Sequence, residues 1–386
     1  MTIAPSITRP DAHVYRQSFT VRYDYEVHFV RDLFAATQPA FARSLGQGAR
    51  FGVFLEADVA RAFPELAGRI ARYAREQGLT LAGVHTFAGG EPCKNEDALI
   101  DKLQRVLLSW RLDRHAYLVA IGGGALLDLA GFVAATFHRG VRHVRVPTTV
   151  LAQDDSGVGV KNGVNALGLK NLIGTFAPPY AVFNDAQFLR ALPERERIAG
   201  LAEAVKVALI RDARFFAWLE ANARALRHGD EDALDHAIRR CAELHMVQIA
   251  HGGDPFERGS ARPLDYGHWA AHKLETLSGH TLRHGEAVAL GLALDTRYAV
   301  EIGMLEAGAD ERVAGLLERL GFALWHATLA RRAELVAGLE EFREHLGGEL
   351  TITLLSALGV GVEVHRMERV AIERALDWLR ARGGVA

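Results

Sequence analysis

The spacing of apolar residues divides the chain into two regimes. From about Phe51 to Asp185, short apolar runs rich in branched residues alternate with amphipathic stretches and glycine turns, the pattern of strands alternating with helices. Phe51–Phe54, Leu81–Thr86, Tyr117–Ile121, His143–Val146 and Tyr180–Phe183 are predicted strands, with predicted helices at Asp58–Gln77 and Glu96–Leu112. This alternation predicts a mostly parallel sheet with helices on both faces. Beyond Gly200 the strand pattern nearly vanishes: Glu203–Arg227, Asp232–Ala250, Gly267–Ser278, Gly285–Ile302 and Arg312–Leu320 all carry apolar residues at helical spacing, and short strands are expected again only at Glu349–Leu354. The polar, proline-bearing stretch LPERERIAG at Leu192–Gly200 marks the join. The expectation is an α/β domain over residues 1–195 and a helical domain over residues 196–386, without internal repeats.

The 386 residues suffice for two domains of ~100–200 residues each. Lys and Arg total 45 against 47 Asp and Glu, a net charge of −2, so no broad basic surface exists and nucleic acid is not an expected partner. Cys93 and Cys241 lie far apart and make neither a disulfide framework nor a CxxC knuckle, which fits a reducing, cytoplasmic setting. The N-terminal residues include Arg9, Asp11, His13 and Arg16 and lack the ~7–15-residue apolar core of a signal peptide. No run approaches the ~18 apolar residues of a membrane span.

Candidate chemistry starts at YLVAIGGGALLD, Tyr117–Asp128, a strand running through Gly122, Gly123 and Gly124 into a helix. Such a turn lets the backbone approach an anion while the first helical turn offers free N–H groups, which suits a dinucleotide pyrophosphate. The GGEPCKN segment adds Glu91, able to accept from a ribose or adenine group, and Lys94, able to offset phosphate charge. The long polar loop Pro147–Asn171 carries Thr148, Thr149, Asp155, Lys161, Lys170 and Asn171. A loop of that length inside a compact domain is expected to bind something, and its lysines suit a phosphorylated sugar.

A metal site is the third candidate. His268 and His272 stand four apart, on one face of a helix, and His284 opens the next helix. Glu203 heads another amphipathic helix, with Lys206 three positions on. Two imidazoles and a carboxylate form a common ligand set for catalytic zinc that leaves positions open for substrate oxygens. The spacing leaves two pairings open, His268 with His272 or His268 with His284.

Taken in order, GGGALLDLAGFVAATFHRG, PTTVLAQDDSGVGVKNGVNALGLKN, LPERERIAGLAEAVK, DYGHWAAHKLE and RHGEAVALGLALD resemble the sugar phosphate cyclases, the family of 3-dehydroquinate synthase, over about Phe51 to Leu355. The resemblance implies a Rossmann-like NAD-binding domain, a helical metal-binding domain holding Zn²⁺ or Co²⁺, and an active site between them. It implies Glu203, His268 and His284 as ligands. His272 is left for the substrate phosphate, with Lys161, Asn171, Arg262 and an Arg139 supplied by the neighbouring subunit of a homodimer. Lys206 and Asp155 would orient hydroxyls. Glu91, Lys94, Gly123, Gly124, Asp128, Thr148 and Thr149 match NAD contacts; Gly122 and Lys170 are grouped with them, and Glu56 and Asp58 stand near the ribose-binding acid. The implied reaction transiently oxidises a secondary alcohol, eliminates phosphate, reduces the ketone again and closes a carbocycle by an intramolecular aldol step, so that NAD is regenerated.

The sequence departs from 3-dehydroquinate synthase in three places. Asp265 stands where that enzyme has Asn, His245 about where it has Lys, and the Glu340–Leu355 segment, which includes Glu340–Gly348, lacks its Asp-Lys-Lys motif. Burying a substrate carboxylate beside Asp265 would be penalised, whereas a hydroxymethyl group could donate to it. The expected substrate is therefore sedoheptulose 7-phosphate, with 3-dehydroquinate synthase proper as the alternative. A metal-dependent NAD polyol dehydrogenase is the more distant rival, since a polyol needs none of the phosphate-binding cations.

Overall fold

The computed structural model describes residues 6–8, 13–167, 169–259, 262–345 and 348–384. A short hairpin, β1 (Ser6–Thr8) with β2 (Arg16–Ser18), precedes the first sheet strand, β3 (Glu26–Val30). Then follow α1 (Ala40–Leu45), β4 (Arg50–Glu56), α2 (Ala57–Ala62), α3 (Leu66–Glu76), β5 (Thr80–Phe87), α4 (Asp97–Ser109), β6 (Tyr117–Gly122), α5 (Gly124–Thr136) and β7 (Arg142–Pro147). A hairpin of β8 (Lys161–Ala166) and β9 (Leu169–Phe176) comes before β10 (Ala181–Asp185). The main sheet is six-stranded, in the order β3-β10-β7-β6-β4-β5, with every pairing parallel. Alternate strand residues feed separate cores. Phe51, Val53, Leu55, Tyr117, Val119 and Ile121 pack with Phe41, Leu66 and Ile70 of α1 and α3. Phe54, Leu118 and Ala120 pack with Leu103, Leu107, Leu126 and Val133 of α4 and α5. A strand buried on both faces must be apolar at every position, and all of β6 is buried.

The second half is α6 (Glu194–Arg211), α7 (Ala213–His228), α8 (Glu231–His251), α9 (His268–Leu277), α10 (His284–Glu301), α11 (Ala309–Leu320), α12 (Arg332–His345) and α13 (Arg369–Arg382). One antiparallel hairpin, β11 (Ile352–Ala357) with β12 (Val360–Val364), interrupts the helices, close to where short strands are expected. These elements share one core, centred on Trp269, Leu274, Leu290 and Leu294.

Three local expectations change, and one strand is added. Asp58–Gln77 is two helices because Pro64 disfavours helical geometry at Phe63, whose φ and ψ are −128° and 73°. Glu203–Arg227 breaks at Asp212, whose side chain caps α7 by accepting from the N–H groups of Arg214 and Phe215. The loop Pro147–Asn171 is largely regular, a π-helical turn at Ala152–Ser156 followed by the β8–β9 hairpin, whose glycines and asparagines conceal its strand character. β3 escapes a sequence reading because it is a half-exposed edge strand bearing Glu26 and His28.

Candidate active site

Sheet order determines where a nucleotide can bind. β4 and β6 are neighbours, yet the chain proceeds from β4 to β5 on one side and from β6 to β7 on the other, so a crevice opens beyond their C-terminal ends. Glu56 ends β4 and Gly122 ends β6. None of the three turn glycines has a positive φ; Gly122 and Gly124 are needed for space, whereas a Cβ on Gly123 would meet only ordinary contacts. A Cβ on Gly122 would lie 2.7 Å from Glu56 Oε2, and one on Gly124 2.7 Å from Ser156 Oγ. The Gly123 N–H donates to Glu56 Oε2 at 2.6 Å. Burial pushes the Glu56 carboxyl up, with the Gly123 N–H opposing. Lys94, buried, donates to Asp128 Oδ2 at 2.8 Å and to Asn171 Oδ1. Asn165 links Glu91 to the Asn171 N–H. The Thr148 N–H donates to the Gly122 carbonyl at 3.0 Å, and Thr149 Oγ1 accepts from the Ala152 N–H at 3.1 Å. Asp58 is not brought in: its side chain is 74% exposed and pairs with Arg61.

Glu203 on α6, His268 at the start of α9 and His284 at the start of α10 form the second cluster, their ligand atoms all within 4.8 Å of one another. Glu203 Oε1 lies 3.7 Å from His268 Nε2 and 3.5 Å from His284 Nε2. Ligand atoms around a tetrahedral zinc at ~2.0–2.2 Å stand roughly 3.3–3.6 Å apart, so these donors fit a divalent ion. Glu203 Oε1 is buried without a hydrogen-bond partner among the described residues, a costly state for a carboxylate that metal would relieve. Both rings are oriented from behind. His268 Nδ1 donates to the Tyr266 carbonyl at 3.0 Å and His284 Nδ1 to Glu275 Oε2 at 3.2 Å, leaving each Nε2 for metal. Burial opposes, but the facing carboxylates of Glu203 and Glu275 push His284 up to about 9. His272 stands beside both ligands, its ring 5.5 Å from that of His268; burial and neighbouring His284 push it down to about 4.

Close helix contacts make this cluster possible. A Cβ on Gly285 would lie 1.8 Å from the Ala199 carbonyl, and one on Gly291 2.1 Å from that of Gly267. Glycines there let α10 touch α6 and the turn into α9 backbone to backbone.

Around the cluster, Lys206 pairs with Glu203 and stands 3.8 Å from Asp155. His245 Nδ1 is 3.1 Å from the other oxygen of Asp155. Burial works against the Lys206 charge, but Glu203 and Asp155 hold it above the ordinary lysine range. Burial would raise Asp265, yet Lys161, His268 and Lys206 hold it below the usual carboxylate range. Lys161 pairs with Glu257, whose other oxygen is 3.3 Å from Arg262 Nε. Lys170 pairs with Glu275 at 3.0 Å, so adjacent residues of β9 tie together the two clusters, Asn171 to Lys94 and Lys170 to the carboxylate behind His284. Asn171 is thus turned toward the nucleotide crevice. Arg139 is exposed in a turn after α5, where His138 and Arg139 both have left-handed φ of 52° and 64°. It lies ~20 Å from the glycine turn by helix rise.

Three residues in contact with the candidate site residues escape a sequence reading. Glu275 is seven after His268 and three after His272, a helical spacing that marks the same face. Glu257 and Arg145 carry no such sign. Arg145, fully buried, donates to the carbonyls of Gly157, Gly159 and Lys161, fixing the segment between Asp155 and Lys161.

Fold and site together define a metal-site enzyme built on a nucleotide-binding sheet, and comparison with known proteins gives its family. Residues 84–199 match the 3-dehydroquinate synthase N-terminal family and residues 200–341 the 3-dehydroquinate synthase C-terminal family. A 3-dehydroquinate synthase of Halorhodospira halophila is 43% identical over 265 residues, 68% of this chain and 73% of that protein. A 2-epi-5-epi-valiolone synthase of Streptomyces glaucescens is 36% identical over 304 residues, 78% of each. Among solved structures, the 2-epi-5-epi-valiolone synthase of Streptomyces hygroscopicus subsp. jinggangensis 5008, with NAD⁺ and Zn²⁺ bound, superposes with a TM-score of 0.87 at 28% identity, over 95% of this chain and 99% of that one. The chain belongs to the 3-dehydroquinate synthase family of cyclase enzymes.

Proposed function

We propose that this protein is a cytoplasmic, homodimeric, NAD- and divalent-metal-dependent sugar phosphate cyclase that converts sedoheptulose 7-phosphate to a cyclitol. The observation that carries the reading is the Glu203–His268–His284 cluster tied through β9 to the crevice at Gly122–Gly124. Bound NAD⁺ would accept hydride, and a divalent ion would polarise the substrate oxygen. The chain's residues do the rest. Lys206, kept charged, donates to substrate hydroxyls, and Asp155, braced by His245, accepts from them. Lys161, Arg262, neutral His272 and Arg139 of a second subunit receive the phosphoryl group, the arginines by bidentate contacts. No helix of the described residues is long and apolar enough to cross a membrane.

Asp265 and His245 support the substrate assignment. An ionised Asp265 repels a substrate carboxylate and accepts from a hydroxymethyl group. Burial pushes His245 down, so it supplies no permanent cation where the resemblance has a lysine. The second reading, 3-dehydroquinate synthase, is favoured by the 43% identical relative. Incubating metal-loaded protein with NAD⁺ and each heptulose phosphate separates the two: phosphate release and a cyclitol mass from sedoheptulose 7-phosphate, without net NADH, are expected. Turnover of the carboxylated substrate alone would overturn the assignment, and steady NADH accumulation with a polyol would overturn the cyclase reading.

A further inference from the structure

Two of the cations expected to take the substrate phosphoryl group are bound to an acid of the same chain. Glu257 Oε1 pairs with Lys161 Nζ, and Glu257 Oε2 lies 3.3 Å from Arg262 Nε. The carboxylate therefore bridges both positive charges, one oxygen to each. It does so from a held backbone. Glu257 has a left-handed φ of 47°, a conformation that persists only where the surroundings impose it. Its N–H donates to the Asp254 carbonyl at 3.1 Å, Asp254 Oδ2 accepts from the Gly259 N–H at 2.7 Å, and Arg262 donates to the carbonyls of Glu257 and Gly259. Next to it, the Phe256 ring is wedged between Tyr23 and Phe176, with centroids 5.7 and 5.5 Å away. The loop thus delivers one carboxylate to one place.

From this geometry we infer that Glu257 is a built-in competitor for the phosphoryl group, occupying its two cations in the ligand-free protein and returning to them when phosphate leaves. A phosphate monoester carries about −1.5 to −2 charge at neutral pH and outcompetes a single carboxylate for a lysine and an arginine. Displacing Glu257 costs substrate and product alike, and inorganic phosphate, without the sugar's other contacts, is the ligand left most weakly held. The lysine side chain is 58% exposed and that of Glu257 27%, so the exchange needs no core rearrangement. This inference rests on Lys161 and Arg262 being the phosphate cations.

The test is titration of the holoenzyme with inorganic phosphate by calorimetry, together with phosphate product inhibition. E257Q, isosteric but uncharged, is expected to bind phosphate at least tenfold more tightly than wild type and to show a correspondingly lower inhibition constant. E257D, one methylene shorter, should fall between the two. In K161M, adding E257Q should produce a smaller gain than it does alone. Affinity in E257Q within twofold of wild type, or weaker, overturns the competitor role while leaving the phosphate site standing. An unchanged sugar phosphate KM in K161M, with no phosphate binding by any variant, overturns the site and the competitor with it.

Discussion

Glu275 shows how one side chain behind a ligand sets the ligand's chemistry. Its Oε2 accepts from His284 Nδ1 while its Oε1 pairs with Lys170, so it fixes the tautomer of His284 and raises the basicity of the ring. Removing such a partner typically costs 10–100-fold in metal affinity, and E275Q is expected to weaken Zn²⁺ binding in that range when measured by chelator competition. An unchanged affinity would mean that Glu275 only anchors Lys170. Asp295 makes a different point. It is fully buried, receiving the Trp269 indole N–H at 2.8 Å and the Gly267 N–H at 3.2 Å. Burial outweighs both donors and pushes it from 3.8 up to about 7. Between about pH 4 and 7 the native state then holds a proton that the unfolded chain has released, so this residue's contribution to stability is full below that window and is lost as pH rises through it. Wild type should lose stability relative to D295N as pH is raised across the window, read from urea midpoints at several pH values. Parallel profiles would rule this out.

At the scale of elements, the metal cluster depends on how closely three helices meet. Gly285 adjoins His284, and its missing side chain lets the first turn of α10 rest on the Ala199 carbonyl of α6, one turn before Glu203. A methyl group 1.8 Å from that oxygen cannot be accommodated without moving α10, because both neighbours are backbone. Overpacking of this kind costs about 1–3 kcal/mol. Since it moves the histidine away from Glu203, G285A should lower zinc affinity tenfold or more while far-UV circular dichroism stays native. Loss of stability with unaltered affinity would show that the cluster tolerates the displacement. The β8–β9 hairpin acts as the corresponding link on the other side. Gly131 of α5 leaves room for Asn162, whose Oδ1 would lie 1.7 Å from a Cβ there, and this seats β8, the strand paired with the one that carries Lys170 and Asn171.

For the whole molecule, the exposed Arg139 has no ion-pair partner among the described residues and stands at the far end of α5 from the nucleotide crevice. In the homodimer proposed above, a residue so placed would serve catalysis in the second copy's site. A two-fold dimer in which each subunit completes the other predicts complementation: R139M and K206A, each nearly inactive alone, should regain about a quarter of wild-type activity when mixed and allowed to exchange subunits, because half the dimers are mixed and each mixed dimer has one intact site. No recovery, with exchange verified by a mass tag, would confine Arg139 to its own chain.

Periodicity and local motifs were enough to give the strand–helix alternation, the helical second half, the glycine turn and the acid and imidazoles able to hold a metal, because each is written in neighbouring residues. Spacing alone could not choose between His272 and His284. That choice needs the crossing of α6, α9 and α10, which no local pattern encodes. The same holds for Glu275 behind His284, Glu257 across Lys161 and Arg262, and Asn171 on Lys94: each joins side chains brought together only by the packing of distant elements. Charge and hydrogen-bonding chemistry were legible residue by residue, whereas partnership was decided by the fold, since a partner's distance in space bears no fixed relation to its distance along the chain.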